Sequence, residues 1–247
     1  MILVIAGKEM RLLFASPLAW VVLAFLQLVF SWIFLSRVDR FLVVQGQLAS
    51  MPNAPGLTEF VVVPVFGVAS IVLLMAVPLL TMRLIAEERR NQTMALLMSA
   101  PVSMTEIVLG KYLAIVGFLA LVSLLIVLMA ASLLTGGTLD LGLIAANVIG
   151  ILLLAASFAA IGVFVSCLTH HPVVAAVLTL AVFLGLWIVN IATSDPQSTL
   201  NYVSLLKHFE RFLNGSIALS DLIYFAVLIV MFLVLSIRRL DADRLRA

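Results

Sequence analysis

Six long apolar runs, separated by short clusters of charged residues, are the main pattern in this sequence. A bilayer core of about 30 Å is crossed by about 20 residues of helix, so each run is long enough, or nearly long enough, to span a membrane. In hydrocarbon every backbone N–H and C=O needs a partner within its own segment, which favours helices over strands. We therefore predict an all-α polytopic membrane protein, a single domain over 1–247, with spans at 18–36, 60–81, 112–134, 143–168, 172–192 and 222–237.

Two further segments are amphipathic and too polar to span. Residues 1–16 mix apolar side chains with Lys8, Glu9 and Arg11, a pattern typical of a helix in the membrane interface. Residues 196–220 contain Lys207 and Arg211 among apolar residues, and we expect a helical element on or in the outer leaflet. It is either a simple interfacial cap or a gate over an exit path, and the gate candidates are Tyr202, Leu206, Phe209 and Phe212.

The connection 83–111 is far longer than a tight helical hairpin requires. Its first part, 85–98, reads as a short helix with a polar cluster followed by Met and Leu side chains, before Pro101. Such a surface suits docking to a protein groove, although a solvated interfacial helix is equally compatible with the composition. Because the segment is too polar to enter lipid, the folded bundle has no evident need of its carboxylates, Glu87 and Glu88.

The distribution of Lys and Arg predicts the orientation. The side that holds the N-terminus carries ten of these residues and the opposite side carries four, so the positive-inside rule places both termini in the cytoplasm. The segments 37–59 and 195–220 would then face outward. The ten are Lys8, Arg11, Arg83, Arg89, Arg90, Lys111, Arg238, Arg239, Arg244 and Arg246, and the four are Arg37, Arg40, Lys207 and Arg211.

Composition excludes several classes of function. The chain is 64% hydrophobic and 11% charged, with a net charge of +2 and no basic groove-forming patch, which argues against nucleic-acid binding. Gly110-Lys111 lacks the upstream glycine and the Ser/Thr of a phosphate loop, so ATP binding of that kind is absent. The predicted spans contain no Asp, Glu, Lys, Arg or His, unlike those of ion-coupled transporters.

An intramembrane enzyme is a weaker alternative. It would use Ser157 with His170 or His171, but those histidines lie far along the chain at a predicted turn, with no third ligand at zinc spacing. We expect Ser157 to be a packing residue in a small-residue stretch, and the single cysteine, Cys167, to be a buried hydrophobe. A structural membrane subunit that recruits partners without transport is a second alternative.

Three stretches resemble the permease subunits of type-2 ABC exporters, and specifically their gliding-motility-like branch. They are GKEMRLLFASPLAW at 7–20, AEERRNQTMALLMSAPVSMTEIVLGKYLA at 86–114 and HFERFLNGSIALSDLIYF at 208–225. The resemblance implies an N-terminal elbow helix, a cytoplasmic coupling helix between spans two and three, and an outer re-entrant element before span six. One departure is Gln92, since relatives commonly have a glycine before the threonine that is Thr93 here.

The resemblance also implies the partners. Two permease copies, or a permease and a relative, would form a path in the bacterial inner membrane above two cytoplasmic ATPase subunits. ATP and Mg²⁺ would bind those subunits, so this chain would hold no cofactor and would not be an enzyme by itself. The implied ATPase contacts are Glu87, Glu88, Arg89, Arg90, Thr93 and Leu97, with the turn at His170 and His171 as a second contact.

Overall fold

The computed structural model describes residues 1–48, 55–93, 102–135, 138–192 and 204–244. Within these ranges the chain is helical and has no β-strand. The chain contains a π-helical turn at Thr58–Val62 and a 3₁₀ turn at Ser132–Thr135. The α-helices are α1 Ile2–Ala15, α2 Pro17–Leu48, α3 Val63–Thr81, α4 Ala86–Arg90, α5 Met104–Ala131, α6 Leu141–Leu168, α7 Pro172–Ala192, α8 Leu205–Leu213 and α9 Leu219–Arg244.

Six helical stretches in the described residues are long and apolar enough to cross a membrane, which confirms the predicted fold class. Several of these helices are longer than their apolar runs. α2 continues past Arg37, Asp39 and Arg40 to Leu48, replacing part of the loop expected after residue 36. Its 32 residues measure about 48 Å, more than the hydrocarbon thickness. The charged residues show where the helix leaves the hydrocarbon. The helix itself is longer than the apolar run because its backbone hydrogen bonds continue beyond that point.

α5 also begins earlier than its apolar run, at Met104 rather than at residue 112. The cause is a capping box: Ser103 Oγ accepts from the Glu106 N–H at 3.2 Å, and Glu106 Oε2 accepts from the Ser103 N–H at 3.1 Å. The first two turns of α5 therefore lie within the segment 83–111, which the sequence predicts as a connection between two spans. This start places Lys111 inside the helix.

α6 is the central helix. In the apolar window of α6, 72% of the residues are buried, against 22% for α7 and 22% for α9. α6 therefore forms the core of the bundle, and α7 and α9 lie at its periphery. Small residues allow the close packing: a Cβ at Gly162 would lie 2.3 Å from Thr81 Oγ1 on α3. The predicted small-residue stretch is buried accordingly, at Ala155, Ala156, Ser157, Ala159, Ala160 and Gly162.

α1 packs along α5, where Gly110 makes room for it. A Cβ at Gly110 would lie 2.6 Å from Ile5 Cγ2, so a larger side chain there would push the two helices apart. The turn from α1 into α2 is fixed by Trp20 Nε1, which donates to the Phe14 carbonyl oxygen at 2.8 Å. The amphipathic helix predicted at 1–16 is thus a packed element of the bundle.

Candidate functional site

The short helix α4 is held in place by the core helix α6. α3 ends at Thr81, and the chain turns through Met82–Ile85 before α4 begins. In this break, Ser166 Oγ accepts from the Ile85 and Ala86 N–H groups at 3.2 and 3.1 Å and lies 3.2 Å from the Met82 carbonyl oxygen, to which it donates. One buried hydroxyl therefore satisfies backbone groups that the helix break would leave without partners.

A buried ion cluster attaches α4 to two more helices. Lys111 on α5 is 1% exposed, and its Nζ lies 2.7 Å from Glu88 Oε1 of α4 and 3.1 Å from Glu9 Oε1 of α1. Two carboxylates share one ammonium, so the cluster has a formal charge of −1 when all three groups are ionised. We call Glu9, Glu88 and Lys111 the Lys111 cluster.

The Lys111 cluster corrects one expectation. Glu88 was expected to be dispensable for the folded bundle, but it is a partner of a buried lysine. The span predicted at 112–134 starts one residue after Lys111, and the span predicted at 222–237 starts one residue after Asp221, which is also buried. The long helices α5 and α9 therefore each contain a buried charge near one end, where the apolar run is interrupted.

Arg89 attaches α4 to a fourth helix. Its guanidinium forms an ion pair with Asp243 near the end of α9, and the Arg89 side chain is 6% exposed. Arg239 Nη1 lies 3.7 Å from the other oxygen of Asp243. α4 is therefore tied directly to α5, α6 and α9, and to α1 through Lys111, although it has only five residues.

The end of α4 is the exposed part of this region. Thr93 N–H donates to the Glu88 carbonyl oxygen at 3.0 Å and Gln92 N–H to the Arg89 carbonyl oxygen at 3.3 Å, the two bonds of a Schellman motif. Gln92 has φ +57°, a left-handed conformation that glycine adopts most readily. The helix predicted over 85–98 thus stops at Arg90, and residues 94–101, including Leu97, lie outside the described residues.

The other predicted contact residues lie close to this helix end. Arg90, Asn91, Gln92 and Thr93 are exposed, and Glu87 is half-buried. His170 and His171 are exposed in the turn between α6 and α7. α4 packs against both of those helices, so the turn and α4 are at the same end of the bundle. We call residues 90–93 with 170–171 the α4 surface.

A second ion cluster lies under α8. Asp221 of α9 is fully buried, and its Oδ1 lies 2.6 Å from His208 Nδ1 and 3.2 Å from Arg211 Nη1, both on α8. The His208 ring stacks on Tyr224 at a centroid distance of 4.1 Å. A buried carboxylate thus holds the amphipathic helix predicted within 196–220 against α9.

Two gate candidates are buried between α8 and α6. Phe209 and Phe212 are 1% and 0% exposed, and a Cβ at Gly150 of α6 would lie 2.6 Å from Phe212 Cβ. Leu206 is half-buried, and Tyr202 lies outside the described residues. Both phenylalanines therefore pack directly against α6 at Gly150.

A cavity of about 330 Å³ opens beside the Lys111 cluster. It is lined by α1, the start of α2, the end of α3 and α4. Leucine side chains line one part and charged side chains the other, so the cavity is amphipathic. Its lining includes Lys8, Glu9, Leu12, Leu13, Leu79, Leu80, Arg83, Leu84, Glu87, Glu88 and Lys111.

The enzyme alternative finds no support in the geometry. α6 is continuous through Ser157, which lies eleven residues before Leu168, or about 16 Å from that helix end. Ser157 Oγ is buried without a hydrogen-bond partner among the described residues, and His170 and His171 follow the helix end. The described ranges also contain no group of three or more His, Cys, Asp or Glu side chains that could hold a metal ion.

Sequence reasoning missed the residues that hold these sites together. Lys111, Asp221 and Ser166 each sit next to or within an apolar run, where a single polar residue carries little signal. A lysine or aspartate at the edge of a span requires a partner if it is buried, and that rule could have paired Lys111 with an acidic residue of the connection. The identity of the partner depends on tertiary contacts.

Together these features define a multi-pass α-helical membrane protein with a short polar helix fixed to one end of its bundle. The family model of the ABC-2 family transporter proteins matches residues 3–245, nearly the whole chain. The chain therefore belongs to the ABC-2 transporter family and is a membrane permease component of an ABC transporter. The membrane component in this family is not itself catalytic. Comparison with curated proteins gives no match.

Proposed function

We propose that this chain is the permease of an ATP-driven exporter, of the gliding-motility-like branch that its sequence resembles, and that it pairs with a second permease to form the path. The α4 surface is the docking site for a separate cytoplasmic ATPase. Both termini and α4 are then cytoplasmic, in the bacterial inner membrane, and α8 faces outward. ATP and Mg²⁺ bind the ATPase subunits.

The observation that carries this proposal is the attachment of α4. A helix of five residues has little stability by itself, yet α4 is joined to α5, α6 and α9 by a hydroxyl and two ion pairs. A third ion pair, between Lys111 and Glu9, extends this connection to α1. A force applied to the exposed residues after it would therefore move several spans together. That rigid connection is what coupling to an ATPase requires, and a solvated interfacial helix would not need it.

Reconstitution tests the proposal. The purified chain should have no ATPase activity alone and should co-purify with, and stimulate, a cognate ATPase expressed with it. Nucleotide hydrolysis by the isolated chain would contradict the assignment. Failure of every co-expressed ABC ATPase to bind would instead favour the structural subunit.

A charge reversal at the α4 surface locates the contact. Arg90→Glu should lower ATPase co-purification by about tenfold or more. At a docked interface, an acidic group of the ATPase that attracts Arg90 would repel a glutamate at the same position. Arg238→Glu is the matched control, since Arg238 is also exposed and lies on α9 at the same end of the bundle. Equal ATPase yields for the two variants would remove the α4 surface from the interface.

The Lys111 cluster changes the choice of residue for this test. Reversing Glu88 would place a cation beside buried Lys111, so loss of binding could reflect misfolding. Glu87 has no ion pair among the described residues and is the better acidic target. Glu87→Lys should reduce ATPase association and leave membrane insertion unchanged.

We also infer that α8 closes the outer end of the path. Phe209 is buried against α6, whereas its neighbour Glu210 is exposed. In a variant lacking Cys167, a cysteine at position 209 should react slowly with an impermeant maleimide and faster when ATP drives the cycle. A cysteine at position 210 should react at the same rate in both states, and an ATP-independent rate at position 209 would refute the gate.

A further inference from the structure

We propose that the cavity beside the Lys111 cluster binds the headgroup of a phospholipid with a primary ammonium group, of the phosphatidylethanolamine type. This site is additional to the transport path and does not depend on which cargo is exported. The proposal rests on the separation of charge in the cavity, on its apolar wall and on its size.

The inner polar wall has an excess of negative charge. Glu9, Glu87 and Glu88 line the cavity, and Lys111 is the single ammonium paired with any of them among the described residues. In addition, Glu88 Oε2 is buried and accepts no hydrogen bond from the described residues. An ammonium group with N–H donors would neutralise this wall and could supply the missing hydrogen bond.

The rim of the cavity has the opposite sign. Lys8 of α1 and Arg83 after α3 line the cavity, are exposed, and form no ion pair within the described residues. Both are suited to a phosphate. The six charged lining residues, Lys8, Glu9, Arg83, Glu87, Glu88 and Lys111, therefore sum to zero but separate into an acidic wall and a basic rim, which complements a zwitterion.

The apolar wall indicates a lipid and not a protein side chain. Leu12 is 53% exposed and Leu79 is 44% exposed, and together with Leu13 and Leu80 they line the cavity. These leucines belong to α1 and to the membrane-crossing helix α3, so acyl chains could continue along them. A volume of about 330 Å³ accommodates a headgroup and the first part of the chains.

Retention of lipid by the purified full-length protein tests the proposal. The protein is reconstituted in nanodiscs with equal amounts of dioleoyl phosphatidylethanolamine, phosphatidylcholine and phosphatidylglycerol, extracted gently, and its bound lipids are counted by mass spectrometry. Phosphatidylethanolamine should be enriched about tenfold over phosphatidylcholine, which has the same charges but lacks N–H donors. Equal retention of the three lipids would overturn the proposal.

Two variants assign the enrichment to this cavity. Glu87→Gln should remove most of the preference for phosphatidylethanolamine over phosphatidylcholine, and Arg83→Gln should lower the retention of both lipids. The matched controls are Glu210→Gln and Arg90→Gln, which change exposed charges outside the cavity lining and should retain the tenfold enrichment. Unchanged enrichment in Glu87→Gln would overturn the proposal.

Two further outcomes identify another occupant. Complete displacement of the lipid by an equal concentration of soluble phosphoethanolamine would show that the acyl chains contribute nothing, and would overturn a lipid site. Loss of ATPase binding in Glu87→Gln together with unchanged lipid retention would assign the acidic wall to the protein partner. Failure of ATPase coupling alone, with enrichment intact, would count against the proposed function and leave the lipid site standing.

Discussion

Replacing Lys111 by methionine removes the cation that two buried carboxylates share. Lys111 Nζ lies 2.7 Å from Glu88 and 3.1 Å from Glu9, and the lysine side chain is 2% exposed. Methionine is similar in length, so the change removes charge and hydrogen bonds with little change in volume. Glu9 and Glu88 would then lie near each other in a partly buried site without a counter-ion.

The magnitude follows from this burial. Removing one partner of a buried ion pair costs about 3–5 kcal/mol, because the remaining charge is desolvated and unpaired. For a chain of this size, 1 kcal/mol lowers the unfolding temperature by about 2–4 °C. We therefore expect Lys111→Met to lower the unfolding temperature by about 6–20 °C, with α1 and α4 released first because both depend on the cluster.

Thermal unfolding in detergent, followed by intrinsic fluorescence, measures the overall effect, and hydrogen exchange of α1 and α4 measures the local one. Lys8→Met is the matched control: Lys8 is exposed, so its change should stay within about 0.5 kcal/mol. Adding Glu9→Gln and Glu88→Gln to Lys111→Met should restore most of the stability, since no charge is then buried at this site. Equal unfolding temperatures for Lys111→Met and the native protein would refute the reasoning.

Two further changes test local geometry by the same unfolding assay. Gln92→Gly should stabilise the protein by about 0.5–1 kcal/mol, because Gln92 has φ +57° at the position after α4 where glycine is preferred; Asn91→Gly, at φ −85°, should give no gain. Gly162→Ala should destabilise the bundle by about 1–3 kcal/mol, because its Cβ would lie 2.3 Å from Thr81 Oγ1. Gly185→Ala is the control, since nothing lies within 4 Å of its Cβ, and a Gly162→Ala variant as stable as Gly185→Ala would contradict the packing of α6 on α3.

The sequence by itself determined the class of this protein and the number of its spans. Apolar runs of about 20 residues have one stable solution in a bilayer, because backbone polar groups must be satisfied within each helix. The amphipathic character of 1–16 and of the segment around Phe209 was likewise readable from charge and apolar spacing. The family resemblance at the level of an ABC-2 permease was also available from motifs along the chain.

The tertiary structure alone decided which charged residues support the fold. Glu87 and Glu88 are adjacent and chemically identical, yet Glu88 is paired with buried Lys111 while Glu87 is half-exposed in the cavity wall. Neighbouring residues on a helix point in different directions, and Lys111, the partner of Glu88, is 23 residues away in sequence. The same reason explains why Asp221 appeared as the edge of a span, when it is the buried anchor of α8.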